Sequence, residues 1–174
     1  MKKLLVLLSL TAATLFAEVS MDKPLSTLTI EGDNGGYYAG KAWNSSMLKG
    51  KTTMLMYVDP DERSKGESFK PTIAGFEKDL DFSKFQIVVV INLNATWKPN
   101  AVIRKMMKSK VEENAKRIYV LDVNSALVKS WGVTDDEYNT MVINDNGQVI
   151  YSHSGEWKDT EMDKINTLIR ATVK

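Results

Sequence analysis

Apolar residues along the chain fall into short blocks whose period alternates between strand-like and helix-like spacing. Residues 25–30 alternate, with Leu25, Thr27 and Thr29 on one side and Ser26, Leu28 and Ile30 on the other; a glycine-rich turn over 32–36 then leads into Tyr37 and Tyr38. This pattern predicts an N-terminal β-hairpin. Thr52–Val58 is an apolar run of strand length, closed by Asp59 and Pro60. Phe69, Ile73, Phe76 and Leu80 then share one helical face. That helix should start near Glu67 or Ser68, which puts Pro71 in its first turn, where a missing N–H leaves no bond unmade.

Residues 85–91 are almost unbroken apolar and rich in valine, as expected of a strand buried on both faces of a parallel sheet. Val102, Ile103, Met106 and Met107 form an apolar stripe between Pro99 and Val111, opposite a lysine-rich side, and predict a second helix over the sheet. A short strand follows at 118–121. Ser125 is placed to cap a helix ending at Trp131 before Gly132. Residues 141–143 and 148–152 flank Asn144, Asp145, Asn146 and Gly147, a hairpin turn sequence. Asp159 or Thr160 should cap a last helix, with Met162, Ile165, Leu168, Ile169 and Val173 inward. Two crossover units, an antiparallel pair and a closing helix predict an α/β fold: a mixed sheet with helices on both faces. With no repeat or low-complexity tract, residues 18–174 read as a single domain.

The first residues change the picture of where this domain works. Met1, Lys2 and Lys3 precede an apolar run over 4–16, then Ala17 and the charged Glu18, the layout of a cleavable export signal. The run is shorter than the roughly 20 residues of a membrane span. A soluble periplasmic product with no stable membrane anchor is therefore expected. Removing the first 17 of 174 residues leaves 157 and lowers Lys plus Arg from 23 to 21 against 22 Asp plus Glu, a mature charge of −1. That balance gives no electrostatic footprint for nucleic acid or anionic lipid. Cysteine is absent, so thiol–disulfide exchange and thiol peroxidase chemistry are excluded.

The segment Lys41-Ala42-Trp43-Asn44-Ser45-Ser46-Met47-Leu48-Lys49-Gly50-Lys51, the turn before Pro99 with Ile103-Arg104 after it, and the strand-turn stretch 141–147 are similar to the YtfJ family of periplasmic proteins. The element order resembles the thioredoxin-like fold in its peroxiredoxin-related form. What the resemblance implies is a periplasmic thioredoxin-like domain over nearly the whole mature chain. Some members of the family carry a transcriptional-regulator label, which the export signal and the near-neutral charge oppose here. Redox members of the fold place a cysteine after the first core strand and a cis-proline opposite it. The matching stretches here are 58–66, acidic and polar without a thiol, and Glu137-Tyr138-Asn139-Thr140, without a proline.

Candidate chemistry is sparse. Asp59, Asp61 and Glu62 could supply oxygens to a hard cation, but Arg63 and Lys65 sit among them and the spacing matches no calcium loop, so a solvated capping loop is the simpler reading. His153 is the only histidine and lacks the partners of a metal cluster; a Ser64 nucleophile activated by it has no recognisable orienting carboxylate or oxyanion motif. No cofactor is indicated. Met54, Met56, Met106, Met107, Met141 and Met162 fall at expected core positions. Trp97, in the polar loop 94–99, is a candidate partner anchor, whereas Trp43 should fix the N-terminal hairpin to the core. The candidate interaction surface is Asp59, Asp61, Glu62, Arg63, Trp97, Tyr138 and His153, for an unknown protein or small ligand. The leading expectation is a binding or adaptor protein; the alternatives are a hydrolase or metal-assisted enzyme at the acidic loop after Val58, and a transcriptional regulator.

Overall fold

The computed structural model describes residues 19–173; the expected export signal, residues 1–17, lies outside them. In chain order the strands are β1 (Thr29–Ile30), β2 (Gly35–Tyr37), β3 (Trp43–Asn44), β4 (Thr52–Val58), β5 (Phe85–Asn92), β6 (Arg117–Asp122), β7 (Tyr138–Ile143) and β8 (Val149–Ser154). Six of them form one mixed sheet in the order β2-β6-β5-β4-β7-β8. β4, β5 and β6 run parallel, while β2, β7 and β8 join antiparallel. Every residue of β4 is buried, as its run of apolar and threonine side chains demands of a central strand.

The helices are α1 (Lys70–Asp79), α2 (Asn100–Glu113), α3 (Ala126–Trp131) and α4 (Asp159–Thr172). Successive right-handed crossovers in one direction put α1 and α2 on the same face of the sheet. There Ile73, Phe76, Ile103 and Met107 join Ile165 and Ile169 of α4 over Met56, Val58 and Val89. The other face carries Leu55, Tyr57, Val88 and Val90 under Leu127 and Trp131 of α3 and Ile30 and Trp43 of the N-terminal segment. The mixed sheet with helices on both faces is thus present, as is the hairpin at 144–147. No helix among the described residues is long and apolar enough to cross a membrane.

Four local expectations are corrected. An N-terminal antiparallel pair exists, but β1 pairs with β3, Ile30 opposite Trp43, while the Gly35–Tyr37 strand leaves to pair with β6 at the edge of the main sheet. Gly35 permits that docking, since a Cβ there would lie 1.9 Å from the Leu121 carbonyl oxygen. Ser125 does not cap α3. It sits at φ +52° with its hydroxyl donating to Asn92, and the buried Asp122 carboxylate receives the Ala126 and Leu127 amides at 2.8 and 3.1 Å instead. Neither Asp159 nor Thr160 caps α4: Lys158 holds the N-cap, and the Thr160 hydroxyl donates to Glu161. Met106 is not core. It and Val102 are 44% and 45% exposed, because α2 turns only Ile103 and Met107 fully onto the sheet.

Candidate functional site

The chain leaves β4 through Asp59 and Pro60 and runs as a 3-10 helix over Arg63–Phe69 before α1 begins at Lys70. α1 thus starts later than Glu67 or Ser68, and beneath this stretch, at the C-terminal ends of β4 and β5, Val58 is buried and Ile91 half-buried. A cavity of about 480 Å³ opens there between α1, α2 and the sheet. Met56, Val89 and Tyr119 lie side by side across its floor in strand register, with Val58 and Ile91 one step further along. Val89 is the short side chain of its row. Ile103 and Met107 of α2 and Ile73 of α1 complete the buried walls. This mostly apolar volume lies within the usual size of small-molecule sites.

Tyr138 closes one side of the cavity. Its residue opens β7 opposite Val58, its ring packs on Gly66 so closely that a Cβ there would lie 2.4 Å from two ring carbons, and its hydroxyl donates to the Met56 sulfur at 3.2 Å. Burial pushes its pKa up to about 12, with the Arg117 charge pulling it back and Glu67 adding to the rise. Burial also raises Tyr119, again opposed by Arg117. The rim is polar: Arg63, Glu67, Lys70, Lys110, Asn114 and Arg117 line it. Lys70 pairs with Glu67, Lys110 with Glu113 at 3.1 Å, and Arg117 donates from Nε to Glu77 at 2.6 Å.

The sequence-predicted residues divide around this cavity. Arg63 and Tyr138 line it; Asp59, Asp61, Glu62, Trp97 and His153 do not. The three acids have local partners. Asp59 accepts from the Asp61 amide at 2.7 Å, and burial raises its pKa. Asp61 pairs with Lys98 and accepts from the Thr96 hydroxyl at 2.8 Å, bonds that lower its pKa. Glu62 and Glu137 both hold Lys65 at 2.8 Å. These contacts tie the loop after β4 to the Trp97 loop and to the start of β7. Among the described residues no group of three or more His, Asp or Glu side chains is placed to hold a metal ion.

His153 stands apart on the edge strand β8, its Nε2 3.0 Å from the Glu156 carbonyl oxygen and its ring 4.5 Å from that of Trp157. Among the described residues Ser64 makes no hydrogen bond to it. Trp97 is 84% exposed, with Lys98 Nζ 5.2 Å from its ring centre. Trp43 is fully buried against Trp131, at 6.3 Å between ring centres, and does anchor the N-terminal segment. Sequence reasoning missed the cavity itself. Its one trace was the four-residue stripe on α2, wider than the two positions needed to seat that helix.

The family model described as "Bacterial protein of unknown function (YtfJ_HI0045)" matches residues 16–172. The protein YtfJ of Escherichia coli (strain K12) is 20% identical over 151 residues, covering 84% of this chain and 79% of its own. Among solved structures, the exposed lipoprotein thioredoxin Etrx1 of Streptococcus pneumoniae strain TIGR4 superposes with a TM-score of 0.62 at 16% identity, over 84% of this chain and 99% of that one. A thiol-disulfide isomerase from Corynebacterium glutamicum does so at 0.63 and 12% identity, over 88% and 97%. At such identities the structures establish the thioredoxin-like fold and nothing finer. In this chain the stretch after β4, where redox members carry their thiol, contributes Pro60, Arg63 and Gly66 to the cavity.

Proposed function

Because the chain belongs to the YtfJ family of bacterial proteins, we propose that it is a periplasmic ligand-binding protein in which an apolar cavity occupies the place of the fold's redox centre. One observation carries this reading: the 480 Å³ cavity beside the 3-10 helix after β4, walled by Tyr138 from the position where redox relatives set their cis-proline. With no cysteine anywhere in the chain, the site has no electron-transfer chemistry through sulfur. What its walls offer is burial of an apolar body, worth about 0.8 kcal/mol per methylene. The export-type N-terminus supports the periplasmic assignment.

Calorimetric titration of 1-octanol into the purified protein and its Val89→Phe variant tests the reading. Sub-millimolar binding by the natural protein, weakened at least about tenfold by the ring placed over the floor, is expected. Equal affinity in the two proteins would put the alcohol elsewhere, and absence of binding by octanol and by its carboxylate and ammonium analogues alike would remove the cavity as a site.

A further inference from the structure

We infer, resting on the cavity reading above, that its occupant is an amphipathic anion: an aliphatic chain laid along the sheet with a carboxylate head held by Arg63. Three observations converge on this class.

The first is shape. Arg117 stands opposite Ile87 in the β5–β6 register, whereas Ile91, four residues along β5, stands opposite Leu121, and the cavity reaches both Arg117 and Ile91. At about 3.3 Å per residue its floor therefore runs roughly 13 Å along the strands. Met56, Met106 and Met107 line this trough, and their unbranched thioethers adapt to a flexible chain.

The second is charge. Four cations (Arg63, Lys70, Lys110 and Arg117) line the cavity, and with Glu67, Glu113 and Glu77 paired to three of them the balance at its rim is one net positive charge, at Arg63. Arg117 is only 19% exposed and pairs with Glu77, so its charge is answered within the protein at that end of the floor. A cationic head would meet repulsion from Arg63, and a neutral one would leave that charge unanswered.

The third is availability. Lys70, Lys110 and Arg117 are each bonded to a carboxylate, but Arg63 has no hydrogen-bonded or ion-paired partner among the described residues. It acts on Asp61 only through space, and that carboxylate is already held by Lys98 and Thr96. A guanidinium at the mouth of an apolar cavity, with its planar fork unoccupied, is the geometry that receives a carboxylate in two parallel bonds. Arg63 follows the C-terminal end of β4, so a head there leaves the chain running toward Tyr119 over Val58, Ile91 and Val89.

The test compares octanoate, 1-octanol and octylammonium, identical in chain length, by calorimetry on the whole purified protein and on Arg63→Gln. Octanoate should bind about tenfold more tightly than octanol and octylammonium most weakly. That octanoate-to-octanol ratio should fall to about twofold in Arg63→Gln and shrink for the natural protein in 1 M NaCl. If octanol binds as tightly as octanoate, or the ratio survives Arg63→Gln, the anionic head at Arg63 is wrong while the cavity reading stands. Failure of all three probes to bind the natural protein would overturn both.

Discussion

Replacing Val89 by phenylalanine should make the protein more stable while weakening its binding. Val89 is 7% exposed and lies between Met56 and Tyr119 on the cavity floor. In a close-packed core the larger ring would force its neighbours apart and destabilise by about 1–3 kcal/mol. Over a 480 Å³ cavity it has room. The added carbons are worth at most about 3 kcal/mol at ~0.8 kcal/mol each. Incomplete burial at the open rim and lost rotamer freedom reduce this to a net gain of about 1–2 kcal/mol, the usual yield of cavity filling. For a domain of this size that is a rise of about 3–6 °C in Tm. Urea unfolding followed by far-ultraviolet circular dichroism, without added ligand, reads the effect as a higher midpoint at unchanged slope. A midpoint lowered by more than about 1 kcal/mol equivalent would mean that the floor is already covered, and the argument for a ligand site would fail with it.

Other perturbations probe the supports of the site. Asp122→Ala removes the acceptor for two amides of α3 and for the Tyr57 hydroxyl in a fully buried setting, so a loss of about 3–4 kcal/mol is expected by urea unfolding, with Asp122→Asn recovering part of it. Gly66→Ala sets a Cβ against the Tyr138 ring and should destabilise by about 1–3 kcal/mol; a double-mutant cycle with Tyr138→Leu should recover most of that, and strict additivity would show that the contact is not the cause. Tyr138 gives a pH signature. Its pKa is about 12 when folded against about 10 when unfolded, so the unfolded chain releases this proton first, and stability is lost as pH rises from about 10 to 12. Tyr138→Phe should therefore lose about 2 kcal/mol less than the natural protein between pH 9 and 12 in urea titrations, and an identical slope would refute the assignment.

Much of the scaffold was legible because it rests on local pattern. β4 and β5 appeared at their observed places since a central parallel strand must be apolar on both faces. α1, α2 and α4 followed from helical spacing, and the turn at 144–147 from residues that accept positive φ. The misplaced caps show where local pattern ends. Ser125 has the right residue type at the right position, yet Asp122, fixed at the end of β6, accepts from the Ala126 and Leu127 amides with its two side-chain oxygens. Likewise, nothing near Gly35 announces that its strand pairs with β6, some 85 positions away.

By itself the sequence determined the chemistry that this protein lacks and the frame that it builds. Absence of a thiol is a property of composition, and strand and helix periods are properties of neighbours along the chain. Tertiary structure decided what lies beside the loop after β4. A cavity is volume left over when the late start of α1, the two-residue seat of α2, the short Val89 and the Tyr138 ring meet over one patch of sheet. Its walls come from segments between Met56 and Tyr138, and no window of sequence contains enough of them to show that together they fall short of filling the space.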